Sequence, residues 1–342
     1  MIKLSFKPNI ATKKLLLSLK DRTRDIISQR YGLDDAEERK TLEAIGRQYG
    51  ITRERVRQIE NFALNSIKKN PVFESLNDVF SELKNIIDDK GKIISEKEIL
   101  DYLAPDPNLK NHIIFLLVLG DDFIKLREDD EFCHCWTIDK DMADKVHEVL
   151  RQLHQEISED DLIPEEEIAA FFRKKAKDII KEEIREEIIR SWLNISKIIL
   201  KNAFGEWGPV SSPYIKPRGM RDFAFLVLKK HGSPLHFSEV CGKINEIFSR
   251  PAHSATVHNE LIKDPRFVLV GRGLYALDEW GYKVGTVKDI IKDSIKARGP
   301  LTKEEIIKNV LKERHVKENT ILVNLQNRKY FKKNKEGKYV FA

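Results

Sequence analysis

Three cysteines in 342 residues, Cys133, Cys135 and Cys241, are too few for a disulfide framework and suit a reducing cytoplasm. No apolar stretch approaches the roughly 20 residues of a membrane helix. The longest, Ile113-Ile-Phe-Leu-Leu-Val-Leu119, reads as a buried helix, so no membrane partner is expected. Leu15-Leu-Leu-Ser-Leu19 lacks the length and cleavage site of a signal peptide. The motifs of catalysis are missing too. There is no His-Glu-x-x-His, no paired Cys-x-x-Cys and no Gly-x-Ser-x-Gly elbow. Gly271-Arg-Gly273 is a strand turn without the further Gly or Lys-Ser/Thr of a phosphate loop. In Cys133-His-Cys135 a strand would turn His134 away from both thiols, and no second cysteine pair follows. Cys241 falls in a helix, as core. The expectation is a binding protein: no enzyme, no cofactor, no metal.

What is present is charge. Charged residues make up 34% and hydrophobic ones 41%, which suits a helix-rich chain with several small cores. The net charge of +6 is unevenly placed. Residues 1–70 hold 16 basic and 9 acidic side chains, residues 71–200 hold 18 and 31, and residues 201–342 hold 27 and 15. Both ends suit phosphate or another acidic partner. The acidic middle suits a protein partner or a plain solvated surface.

Residues 41–60 carry the most specific pattern. Thr41 is placed to cap a helix from Leu42 to Tyr49 that buries Leu42 and Ile45. Gly50 stands where a left-handed stop is expected, and Thr52 can cap a second helix from Arg53 to about Ile67. On that helix Val56, Ile59, Ala63 and Ile67 share one face. Arg53, Glu54, Arg57, Gln58 and Asn61 share the other. The first face packs. The second suits base edges in a major groove, with Arg for guanine, Gln for adenine and Glu for the cytosine amino group. It equally suits an ordinary solvated surface helix.

The run Gly50-Ile-Thr-Arg-Glu-Arg-Val-Arg-Gln-Ile-Glu60 closely resembles region 4.2 of bacterial primary sigma factors. Arg22-Thr-Arg-Asp-Ile-Ile-Ser-Gln-Arg-Tyr-Gly-Leu33 resembles region 4.1. The resemblance covers about residues 12–69. It implies that Glu54, Arg57 and Gln58 read a −35-type promoter element in double-stranded DNA. It places Arg22, Thr41, Arg53 and Arg55 near phosphates, and it implies a contact with the flap of core RNA polymerase. The family has a basic residue where this chain has Phe62, so the resemblance does not extend to that backbone contact. The promoter-melting regions precede region 4 in the family, and residues 1–20 cannot hold them. The expectation is a sigma-like reader that does not open promoters.

Beyond residue 70 a pattern recurs every 60 to 75 residues: a helix, a turn with Leu/Ile-x-x-x-Glu, more helix, then an apolar strand pair. The first copy, 72–138, opens its second part with Gly91-Lys-Ile-Ile-Ser-Glu-Lys-Glu-Ile99. Its strands are Phe123–Leu126 and His134–Ile138, around the acidic turn Glu128–Glu131. That turn is wrong for phosphate, so this copy is expected to pack on protein. The second, 142–216, reads as long-helical from Glu165 to Asn202 and irregular from Gly205 to Pro217. The third, 221–282, holds Pro234-Leu-His-Phe-Ser-Glu-Val240 and Gly271-Arg-Gly-Leu-Tyr-Ala-Leu277. It resembles the HARE-HTH domain, a winged helix also found in the RNA polymerase delta subunit. Its helix 254–262 bears His253, His258 and Asn259, which suit DNA or plain surface. The fourth has helices Val287–Ile295, Lys303–Glu313 under a Thr302 cap, and Lys317–Asn327. Its hairpin, Tyr330–Lys333 with Lys338–Phe341, carries Lys332, Lys333, Lys335 and Lys338 as a DNA-backbone wing.

The expected fold is mainly α: a sigma region 4 helix-turn-helix at 1–70, then tandem winged-helix domains. These are an acidic one at 71–138, a degenerate one at 139–217, a HARE-HTH-like one at 218–282 and a basic one at 283–342. The expected function is a cytoplasmic, sequence-specific DNA-binding transcription factor associated with RNA polymerase. Two rivals stand beside it: a polymerase-binding competitor of sigma factors, and the DNA-targeting subunit of a restriction or repair system.

Overall fold

The computed structural model describes residues 4–34, 38–104, 106–180, 183–282 and 285–342. Among these the chain is mainly helical, with seventeen α-helices and ten short strands. It divides into two compact units, Met1–Leu200 with Trp207–Val210, and Lys201–Glu206 with Ser211–Ala342.

The first unit opens with α1 (Pro8–Leu16), α2 (Asp21–Tyr31), α3 (Leu42–Tyr49) and α4 (Arg53–Lys68). Pro8 at the first helical position loses no hydrogen bond there. The short α5 (Pro71–Glu74) and α6 (Asn77–Asp89) follow, then β1 (Ile93–Ser95), α7 (Glu96–Leu103), α8 (Pro107–Leu119), β2 (Ile124–Leu126) and β3 (Cys135–Thr137). The run Ile113–Leu119 is the buried helix its composition predicts. Ala63 and Ile67 of α4 share one apolar cluster with Leu83, Ile87 and Phe115. The helix-turn-helix thus shares a core with the first repeat.

The unit continues with α9 (Lys140–Glu156), α10 (Glu165–Ala176), α11 (Glu186–Leu193), β4 (Ile199–Lys201) and β5 (Trp207–Pro209). This corrects the expectation of one helical stretch over 165–202 and irregular chain after it. Ile180 and Ile184 keep a helix-like spacing of four, yet both are buried from non-helical chain between α10 and α11. Tertiary burial, not helical period, places them.

The second unit holds α12 (Met220–His231), β6 (Leu235–His236), α13 (Phe237–Phe248), α14 (Ser254–Lys263), β7 (Phe267–Gly271) and β8 (Leu274–Leu277). After a turn of 3-10 helix come α15 (Val287–Arg298), α16 (Lys303–Glu313), α17 (Glu318–Leu325), β9 (Phe331–Lys333) and β10 (Tyr339–Phe341).

All four repeats share one pairing. The apolar residue of Leu/Ile-x-x-x-Glu lies antiparallel to an aromatic on the last strand: Ile94 to Trp136, Ile163 to Trp207, Leu235 to Tyr275 and Leu301 to Tyr339. In the third and fourth copies the Glu turns back as a helix cap. Glu239 accepts from the His236 amide (2.9 Å), and Glu305 accepts from the Thr302 amide (2.8 Å). In the first two copies the acid two residues after the apolar one receives the indole N–H instead. Trp136 donates to Glu96 (2.9 Å) and Trp207 to Glu165 (2.7 Å).

Two hairpins dock on the following repeat of their own unit. Residues 131–133 pair with 195–197, through Cys133 N–H to Ile195 O (3.0 Å) and Lys197 N–H to Glu131 O (2.7 Å). The acidic turn predicted to pack on protein meets Lys197 at Glu128 (2.8 Å) and Arg151 at Glu131 (2.7 Å). In the second unit His315 N–H donates to Val270 O (2.7 Å), as a parallel bridge beside Gly271.

Candidate nucleic-acid interface

The turn between α3 and α4 is built from small residues and caps. Thr41 Oγ1 accepts from the Ala44 amide (3.1 Å) and so starts α3. Gly50 ends it at φ 62°, where a side chain would be strained. The Ile51 amide then donates to Gly46 O (2.9 Å). A Cβ at Gly46 would meet Ile51 O at 2.6 Å, so only glycine lets the turn close this tightly. Thr52 Oγ1 accepts from the Arg55 amide (3.2 Å) and starts α4.

One face of α4 is anchored. Val56 is buried with Ile26 and Ile45 in a small cluster, with Leu42 and Ile59 half-buried around it. Glu60 is buried on this face too, which the apolar pattern does not foretell. It pairs with Arg30 of α2 (3.3 Å). Burial, then the nearby Glu60 charge, pushes the Tyr31 phenol well up.

The opposite face is free of packing. Arg53, Glu54, Arg55, Arg57 and Gln58 are all exposed. Arg57 grips Glu54 with two hydrogen bonds, Nε to Oε2 (2.9 Å) and Nη2 to Oε1 (2.7 Å). The hydrogen bonds from Arg57 hold the Glu54 carboxyl below the usual range. Arg55 Nη1 donates to Gln58 Oε1 (3.1 Å). Two predicted base readers thus come as a pre-formed pair, and the third is tied to a predicted phosphate ligand.

Two open concavities flank this helix. One, about 510 Å³, brings Arg22, Arg55 and Gln58 together with Phe62, which is 69% exposed. The Arg22 guanidinium lies 5.7 Å from the centroid of the Tyr49 ring. The other, about 640 Å³, is lined by Arg47, Thr52, Arg53 and Arg55. Sequence reasoning misses Arg47, although its place on the outer face of α3 would have marked it. Thr41 lines neither concavity, and its side chain caps α3.

The remaining candidates belong to the second unit. Lys332, Lys333 and Lys335 are exposed on the β9–β10 hairpin, and Lys338 is half-buried, 3.6 Å from Glu336. Lys333 lies 5.2 Å from the Tyr339 ring centroid. His258 stacks on Phe237 (4.3 Å) and so packs within its own module, while His253 and Asn259 are exposed. Among the described residues, no group of three or more His, Cys, Asp or Glu could hold a metal ion, and no helix is long and apolar enough to cross a membrane.

The geometry has close sequence counterparts. The family described as Sigma-70, region 4, matches residues 15–69. The principal sigma factor HrdD of Streptomyces griseus is 53% identical over 55 residues, 16% of this chain and 16% of that protein. SigA of Nostoc sp. is 52% identical over 56 residues, 16% of this chain and 14% of that protein. SigA of Listeria monocytogenes is 48% identical over 54 residues, again 16% and 14%. The chain therefore spans about a sixth of the length of these relatives, and residues 70–342 lie outside the family match. Within those limits, residues 15–69 match sigma-70 region 4 and fold as a capped helix-turn-helix.

Proposed function

We propose that this chain is a sequence-specific DNA-binding transcription factor that reads a −35-type promoter element and associates with core RNA polymerase, at its flap. Glu54, Arg57 and Gln58 of α4 read base edges, and Arg22, Thr41, Arg53 and Arg55 hold phosphates. The observation that carries this reading is the unpacked outer face of α4, inside the segment that matches sigma-70 region 4. In this reading the region 4 module at 1–70 is followed by winged-helix modules at 71–138, 139–217, 218–282 and 283–342. The third is HARE-HTH-like. The recurring helix–strand–helix–helix–hairpin order supports that division. Lys332, Lys333, Lys335 and Lys338 add backbone contacts from the last wing. The chain acts by binding, in the cytoplasm, without catalysis.

Selection from a pool of random duplexes tests the reading. The full chain should enrich a short motif related to a −35 element, and Arg57→Ala should relax one position of it. Recovery of no motif would overturn base reading. Polymerase capture by a chain that enriches no motif would instead favour the sigma-competitor reading.

A further inference from the structure

The hairpins of the first and third repeats dock on their neighbours, while that of the fourth presents lysines to solvent. Three further lysines converge at the root of the hairpin. Lys288 and Lys292 of α15 lie 4.7 and 4.9 Å from the centroid of the Tyr330 ring. Lys329 approaches the same ring at 5.9 Å. Lys288 and Lys292 are four residues apart on one helix, an arrangement that like charges disfavour.

In two other places an ammonium near an aromatic ring keeps an acid beside it. Lys125, near Trp136, pairs with Glu96 (2.6 Å), and Lys90, over Tyr102, with Glu98 (3.8 Å). Around Tyr330, among the described residues, no carboxylate pairs with any of the three lysines. The nearby Asp289 carboxylate is engaged by the Thr286 amide (2.9 Å) and hydroxyl (2.6 Å). Those bonds hold its pKa down first, and Lys288 and Lys292 only after them. Three ammoniums gathered around one ring, with no carboxylate in ion-pair contact among the described residues, make a seat for an external anion. Two elements some forty residues apart supply them. The third helix of this repeat, α17, has no basic residue, so the approach is from α15 and the hairpin root.

We propose that Lys288, Lys292 and Lys329, arranged around Tyr330, bind the phosphodiester backbone of duplex DNA without reading its sequence. The choice of ligand rests on the DNA-binding function proposed above. The site itself lies outside the region 4 match.

The test is a salt titration of the full chain on a random-sequence duplex. The variant K288Q/K292Q/K329Q is compared with K303Q/K308Q/K312Q, which removes equal charge from α16. Removing one phosphate-binding lysine should flatten the log–log salt slope by about 0.9. The patch variant should therefore lose up to about 2.7 units, and the α16 variant under one. Preference for the selected motif over random duplex should survive, because α4 is untouched. A wild-type chain without that preference but with the slope change would sink base reading and leave this site standing. Equal changes in both variants, or none, would overturn the site. So would loss of polymerase capture at an unchanged slope. Should circular dichroism show the triple variant unfolded, the exposed Lys329→Gln alone should still cost about one unit of slope, and no change there would also overturn it.

Discussion

Arg57 is where the proposed base reading and local electrostatics meet. Its bidentate pair with Glu54 is exposed on both sides, so breaking it costs the fold little. Arg57→Ala should therefore leave the melting temperature nearly unchanged. It should weaken binding at the preferred site by about 1–3 kcal/mol. Arg53→Ala should weaken all duplexes alike and flatten the salt slope. Equal losses for both variants on specific and random duplexes, by fluorescence anisotropy, would deny α4 its reading role. Gly46 makes the opposite kind of demand. Gly46→Ala puts a methyl 2.6 Å from a backbone oxygen that cannot swing away. Overpacking of this kind costs about 1–3 kcal/mol, and the turn should open to relieve it. Urea unfolding would register the loss, and an unchanged midpoint would show that the turn tolerates a side chain. The caps Thr41 and Thr52, the stop at Gly50 and the packing of Val56 were all legible in the sequence, because each follows from local chemistry. The buried Glu60 was not. Its partner Arg30 comes from another helix thirty residues away, and nothing local foretells the pairing.

Helix α1 is tied to α8 by a polar contact inside the core. Thr12 Oγ1 lies 2.6 Å from Nδ1 of the buried His112. Burial, with Lys13 nearby, holds the pKa of His112 below its ordinary value. His147, stacked on Phe132 at 3.9 Å, is lowered for the same first reason, burial, and then by Arg151. The unfolded chain takes up these protons near pH 6.5, and the folded chain only lower. The unfolded state thus binds more protons in that window. Stability is complete above about pH 6.5 and is lost as pH falls through and below it. The urea midpoint of the first unit should hold level between pH 7 and 8 and drop by pH 5. His112→Gln should flatten that drop. The lowered carboxylates, such as Asp139, act in the same direction but below about pH 4.5. A drop seen only below pH 4.5 would exclude the histidines. At this scale the recurring Leu/Ile-x-x-x-Glu was readable, because in each copy it stands at the start of a helix, α7, α10, α13 or α16. The break between α10 and α11 was not, since Ile180 and Ile184 imitate helical spacing from irregular chain.

The two compact units were not legible in the sequence, and the reason is physical. Backbone pairing joins repeats within each unit, between 131–133 and 195–197 and between Val270 and His315. Amide and carbonyl groups are the same at every residue, so such pairing leaves little trace in side-chain pattern. Charge pointed toward the division, with its excess of acid before residue 200 and of base after it. Each unit has apolar clusters of its own. The second unit is centred on Phe225, Val240 and Tyr275 in one cluster, and on Ile290, Ile306 and Phe331 in another. Units with separate cores can unfold as separate cooperative steps. Scanning calorimetry should then resolve two transitions. Phe331 is 1% exposed, and its truncation to alanine leaves a cavity that costs about 3–5 kcal/mol. Phe331→Ala should lower one transition by several degrees and leave the other in place. Fluorescence assigns them, because Trp280 lies in the second unit while Trp136, Trp192 and Trp207 lie in the first. The shifted transition should be the one that Trp280 reports. If both transitions move together, or only one transition exists, the units fold as a single body. Helix α4 and the lysines around Tyr330 would then gain or lose order together.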